Sequence, residues 1–446
     1  MNVRRSATAL AALAALAALC TAAAPAAFAD ASPSPKPSGP ALPKGLYGTK
    51  DPRFDGVWRQ SLALLAQDAV GVTPAKSAID WLAGQQCEDG GFAGYRADPA
   101  KACDPEKGEF TDATAAAVQA LAAVGGRSSA VGKGVAWLKK HQNDDGGWGM
   151  NPGGPSDANS TSAAVGAFAA TGTDPKGVKS AKGGKTPYDL LLGLQLGCDA
   201  KKGERGAFAY TADKGGAGAA ANDLATAAAA LATQGKGFVF EPAGKDDGKA
   251  PEPLDCGASK GGAKDGGKAA GGEPAGVAEA GQAAAAYLAD TMAEHGRHLP
   301  SSMPGAKDQP DFGGTADAII ALAAGEHSAT AAKPLQWLQS EKNGALAWAK
   351  GDPGALGKLV LAAHAAGADP RSFGGVDLVQ RLNATGPKPE SVSASGSQAD
   401  AGKDADGEKK DDDKGGVGGV WWTVGVFMVA GIGIGFLLSG RKKQQL

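Results

Sequence analysis

The chain has 446 residues, with 45 Lys and Arg against 47 Asp and Glu for a net charge of −2, and no basic face stands out. That balance speaks against nucleic acid as a partner. Five scattered histidines, and cysteines without CxxC spacing, speak equally against a bound metal or cofactor.

Taken in chain order, Arg4 and Arg5 lead a mainly apolar run from Ala9 to about Ala24, and Ala27-Phe28-Ala29 follows as a small-x-small cleavage site. Residues 1–29 read as a secretory signal peptide that takes Cys20 away with it. A Pro- and Ser-rich tract, 30–44, is expected to be disordered. The folded domain is expected over 45–385. Four cysteines remain in an oxidising compartment, which favours disulfides. Proximity suggests Cys87 with Cys103 and Cys198 with Cys256, although four cysteines allow three connectivities.

Within the domain the apolar periodicity yields two alternating sets of helices, separated by Gly- and Pro-rich breaks. One set covers 55–67, 111–124, 159–171, 222–233, 315–324 and 353–366; the other covers 74–86, 130–142, 187–196, 277–294, 332–340 and 375–382. The first set is nearly all Ala with Leu, Val and Phe, whereas the second carries charge on one side, as in Trp137-Leu138-Lys139-Lys140. Helices apolar all round are buried and those with a polar face meet water, so an inner ring within an outer ring satisfies both patterns. Between the fourth inner and outer helices lies a Gly-, Lys- and Asp-rich insertion, 235–276, which contains Cys256. A loop of that length is functional or disordered, and a Cys198–Cys256 bond would tether it as a lid over the domain.

Residues 386–416 have almost no large apolar side chain and read as a disordered stalk. Residues 417–439 are uncharged and long enough to span a bilayer. The tail 440–446 supplies Arg441, Lys442 and Lys443, which the positive-inside rule keeps in the cytoplasm. The expected arrangement is a single-pass protein of the cell membrane with its N-terminal domain outside.

Two stretches of the domain share one template. Trp81, Gln86 and Gly90-Gly91-Phe92 recur as Trp137, Gln142 and Gly146-Gly147-Trp148 with every offset kept. Internal repeats of this kind mark an array of one supersecondary unit. The pair resembles the QW repeat of the prenyltransferase and squalene-oxidase family of terpenoid cyclase toroids, in a secreted, membrane-anchored form. The resemblance implies an all-α fold, an (α/α)6 toroid of six helical hairpins, here followed by a C-terminal transmembrane helix. A third unit keeps Leu194-Gln195 and Gly206-Ala207-Phe208, and a fifth keeps only Trp337-Leu338-Gln339 with Ala347-Trp348. By the same resemblance, the aromatic residue after the Gly pair ties neighbouring hairpins together.

Polar residues gather at the starts of the inner helices, notably Asp112, Thr114, Asn159, Asp223 and Asp317. Such residues cap first turns. If the starts ring one mouth of the toroid, they are also candidate ligand-binding residues. No catalytic residue is assigned. Asp144-Asp145 falls in a repeat turn, no DxDD motif occurs in the toroid region, and His295 with His298 reads as a solvated helix end. Only 6% of residues are aromatic, too few for the dense lining a carbocation cascade wants. The expected function is non-catalytic capture of a small apolar or cofactor-like ligand, with a membrane transporter as a conceivable partner. A cyclase- or prenyltransferase-like enzyme and a protein-binding envelope scaffold are the alternatives, and alanine-rich inner helices lead one to expect an open apolar cavity.

Overall fold

A computed structural model describes residues 43–392 apart from 54, 105–107, 213–218, 243–247, 258–275, 304 and 307–308, all within the compact unit Leu42–Leu446. The expected signal peptide, membrane span and most of the stalk (393–416) therefore lie outside the described residues, while the first stalk residues, 386–392, pack on the domain; among the described residues no helix is long and apolar enough to cross a membrane.

Alanine gives helices that are both intrinsically favourable and thin enough to pack closely. Six such helices form the inner layer: α1 (Gly56–Ala69), α3 (Thr111–Val124), α5 (Ala158–Ala170), α7 (Asp223–Ala232), α9 (Phe312–Ala324) and α12 (Pro353–Ala365). Each packs on the next in that order, and α12 packs back on α1, which closes the ring. Six more form the outer layer: α2 (Lys76–Gly84), α4 (Ser128–Lys140), α6 (Pro187–Leu194), α8 (Val277–Glu294), α10 (Ser328–Gln339) and α13 (Leu378–Asn383). Each of these lies against the inner helix that precedes it. The two layers differ in burial as the patterning requires: α3 is buried from Thr111 through Leu121, whereas α4 buries only Gly134, Trp137 and Leu138. Most alanines of the inner helices are almost completely buried.

One short helix, α11 (Ala345–Trp348), has no place in the expected pattern. Its origin lies in the repeat turns. Gly90, Gly146 and Gly206 stand two residues before Phe92, Trp148 and Phe208 with φ of 107°, 91° and 84°, a region that glycine enters freely. A Cβ on them would come within 2.4, 2.2 and 2.7 Å of the carbonyl oxygens of Lys133, Thr186 and Ala283. The fifth unit has Leu346 at this position, and the chain winds into α11 instead.

The ring is clasped where its ends meet. Tyr47 is fully buried, its hydroxyl donates to Gln67 Oε1 at 3.1 Å and to the Pro387 carbonyl at 3.3 Å, and Gly48 N donates to the Thr385 carbonyl. Two strands, β1 (Val72–Thr73) and β4 (Ser391–Val392), pair antiparallel beside it. Strands β2 (Leu299–Pro300) and β3 (Pro310–Asp311) make the other two-stranded pairing, just before α9. Disulfides join Cys87 to Cys103 and Cys198 to Cys256, with Cα separations of 5.7 and 5.5 Å.

Candidate functional site

The repeat residues are committed to structure. Gln86 Nε2 donates to the Gly90 and Ala130 carbonyls, Gln142 Nε2 to those of Gly146 and Lys185, and Gln195 Nε2 to those of Gly206 and Ala280. Each glutamine thus fixes its own turn and the start of the next outer helix, so the tie between hairpins runs through Gln side chains as much as through the aromatic rings. Trp81, Phe92, Trp137 and Trp148 are buried; Trp148 Nε1 donates to the Leu138 carbonyl and Trp137 Nε1 to Glu109.

A second register lies four residues into the inner helices. Thr114, Thr161, Thr226 and Thr315 offer Oγ1 to the backbone N–H of Phe92, Trp148, Phe208 and Leu299 at 2.9–3.1 Å. Each hydroxyl locks the preceding turn onto the ring. Counted from the residue before each helix, the same position is Leu356 in α12 and Arg59 in α1. The lock is missing there, and the turn carrying Trp348 goes its own way. Trp348 is 38% exposed, whereas its counterparts Phe92, Trp148 and Phe208 are fully buried.

Where the repeat breaks down, a cavity of about 440 Å³ opens. Its walls come from the starts of α1 (Asp55, Trp58, Arg59, Leu62), α7 (Leu224), α9 (Asp311, Gly313, Gly314) and α12 (Asp352, Gly354, Ala355, Lys358), with Lys50 and Trp348 at the side. In the ring order α1 stands opposite α7, so a cavity lined by both spans the mouth. Its volume falls in the range of small-molecule sites.

The electrostatics of this mouth are unusual for a ring of alanines. Six residues in from the helix starts, α3, α5 and α7 carry Ala116, Ala163 and Ala228, but α9 carries Asp317 and α12 carries Lys358. Lys358 Nζ donates to Asp317 Oδ2 at 2.5 Å, and both side chains are buried. Burial pushes the Asp317 carboxyl up, against the pull of Lys358. Arg59 is 4% exposed; its Nε lies 2.9 Å from Asp55 Oδ1, its Nη2 donates to the Asp51 carbonyl, and its Nη1 has no hydrogen-bond partner among the described residues. Burial raises Asp55 despite Arg59. Burial opposes ionisation of Asp352 too, but Lys50 Nζ at 2.6 Å and the first-turn N–H of Ala355 hold it below the usual range.

Of the expected ligand-binding residues, Asp317 stands behind Lys358 in this cavity, and Asp223 precedes its wall residue Leu224 while accepting from the Tyr287 hydroxyl at 2.7 Å. The others stand further from it. Thr114 is the turn lock described above, and Asn159 is half-buried on α5. Asp112 is buried beside Asp157, the cap of α5, and burial pushes the two carboxyls up to about 7 and about 6. None of the five is a wall residue of this cavity.

Two further expectations change. The expected apolar cavity has a mixed lining, in which three cations and three carboxylates stand among Trp58, Trp348, Leu62, Leu224 and Ala355. The described parts of the insertion, 235–242 and 248–257, meet Ala324 at the C-terminal end of α9, Gln282 of α8 and His327, away from the mouth, and its remaining residues lie outside the described ones. His295 and His298 bond separately to nearby carbonyls. Among the described residues, the grouping at metal-ligand distances is Cys87, Cys103 and Glu109, whose cysteines are already bonded to each other.

Residues 58–182 match the family model of the prenyltransferase alpha-alpha toroid domain. No curated protein matches. Among solved structures, a protein from Actinoplanes is similar at 15% identity and a TM-score of 0.41, over 72% of this chain and 93% of that one. The type II terpene cyclase MstE from Scytonema, solved as a variant with its substrate geranylgeranyl dihydroxybenzoate, is similar at 12% identity and a TM-score of 0.42, over 72% and 92%. The family match over 58–182 and the inner ring closed by α12 on α1 together identify the fold as an all-α, alpha-alpha toroid.

Proposed function

We propose that the chain is a non-catalytic binding protein that captures a small molecule in the mouth of its toroid. Residues 1–29 would export it, and 417–439 would hold it at the cell surface beside a membrane transporter. One observation carries the reading: at the single mouth position where α1, α7, α9 and α12 converge, the repeat gives up its locking threonine and its buried aromatic, leaving Trp348 exposed over a cavity that holds a buried guanidinium. Structural economy alone would have kept Thr and a buried ring there, as in the first three units.

Ligand binding to the folded state raises the melting temperature by mass action. Fractionated small-molecule extracts of the producing cells, added to the dialysed protein, should include a fraction that raises its melting temperature. Trp348→Ala should abolish that rise. Fractions that stabilise both proteins equally, or none at all, would contradict capture at the mouth.

A further inference from the structure

We infer that the mouth cavity is selective for a monocarboxylate with an apolar body, its carboxylate set against Arg59 and Lys358 and its body against Trp58 and Trp348. This rests on the capture reading and adds the chemistry of the ligand. Each carboxylate of the cavity already has a donor on at least one oxygen: Asp55 Oδ1 lies against Arg59, Asp352 accepts from Lys50 and from Gly354 and Ala355 N–H, and Asp311 Oδ1 accepts from Gly314 N–H. The two deepest cations keep donors to spare. An ammonium has three N–H groups, and among the described residues Lys358 donates to Asp317 alone; Arg59 keeps an unpartnered Nη1.

The first turns of α9 and α12 also line the cavity, and helix starts favour negative charge. Three lining carboxylates set the upper limit on that charge. A diphosphate would bring more negative charge than two incompletely used cations can offset against them, whereas a single carboxylate would not. An amine would bring a third positive charge against Arg59 and Lys358 and against the helix starts, which a carboxylate does not. Trp58, 5% exposed, and Trp348 give the remaining wall large apolar faces.

The test uses the full chain and three probes with one body: phenylbutyrate, its amide and phenylbutylamine, compared by ligand-observed NMR titration. Phenylbutyrate should bind about tenfold tighter than the other two, the scale of a charge-assisted hydrogen bond to a buried cation. Gly313→Leu should abolish that binding. A Cβ on Gly313 would sit 3.7 Å from Trp348 and 3.8 Å from Lys358 Nζ without a clash, so the added side chain enters the cavity rather than the core. A circular-dichroism melt checks folding, and Gly313→Ala serves if the larger variant does not fold. If the amide or the amine binds tightest and is lost in the Gly313 variant, capture stands and the carboxylate inference is overturned. If no probe binds, or binding survives in the Gly313 variant, both are overturned.

Discussion

Replacing Lys358 by Met should strip the charge from the deepest cation of the mouth while keeping the apolar stem, so that the change in stability reports the ion pair rather than lost packing. Asp317 and Lys358 are both almost completely buried, and Asp317 Oδ1 has no hydrogen-bond partner among the described residues. Removing one partner of such a pair costs about 3–5 kcal/mol, because the remaining charge is left without compensation. The cost must depend on pH. Burial already holds the folded-state pKa of Asp317 above its ordinary 3.8, at about 6, despite Lys358. A raised folded pKa contributes stability that is present below the unfolded value and lost as pH rises through the folded one. Without Lys358 the folded pKa climbs further and the loss extends to higher pH. Urea denaturation followed by circular dichroism should therefore show a gap between wild type and Lys358→Met that is small at pH 5 and grows toward the full value at pH 8. The double variant Asp317→Ala/Lys358→Met restores the alanine that other inner helices carry at this depth and should regain most of the loss. A single-variant cost below about 1 kcal/mol at pH 8, or a double variant no more stable than the single, would refute the argument.

Gln86→Ala removes the bonds to the Gly90 and Ala130 carbonyls and should cost about 1–3 kcal/mol in the same denaturation assay. Asp112, pushed up by burial to about 7, should make the fold lose stability as pH rises from its ordinary carboxylate range through 7. Asp112→Asn should flatten that slope, so that its advantage over wild type is roughly 2 kcal/mol greater at pH 8 than at pH 5; an equal difference at both would show that Asp112 does not titrate as described. Tyr47→Ala empties the clasp between the chain ends and should cost about 3–5 kcal/mol, measured as a drop in the denaturation midpoint.

Alanine periodicity located all six inner and six outer helices because a ring helix must be apolar on every side, a pattern one strand of sequence displays in full. Closure of α12 on α1 follows from the count, but the clasp at Tyr47 does not, since it joins residues about as far apart as the domain allows. The mouth was harder to read. Asp112, Thr114, Asn159, Asp223 and Asp317 stand out as polar helix starts, yet Thr114 is a turn lock, Asp223 accepts from Tyr287, Asp317 pairs with Lys358, and the side-chain caps are Asp157, Asn222, Asp311 and Asp352 beside them. Arg59, Lys358 and Trp58 belong to no motif, and Trp348 stands out in the sequence only as the remnant of the fifth repeat. A signal was present: Arg59 and Lys358 are the Lys or Arg residues inside the described inner helices, and each replaces the threonine or alanine found at the same depth in α3, α5 and α7. Only alignment of the helix starts with one another, which the structure supplies, makes that substitution visible. The α11 turn shows the same lesson, since Leu346 looks unremarkable until it is set beside Gly90, Gly146 and Gly206.

Native mass spectrometry of the gently purified full chain beside its Gly313→Leu variant tests the central claim most directly. Capture at the mouth predicts a reproducible extra mass on the wild type, released on denaturation, and a bare mass for the variant. The same extra mass on both proteins, or on neither, would contradict it.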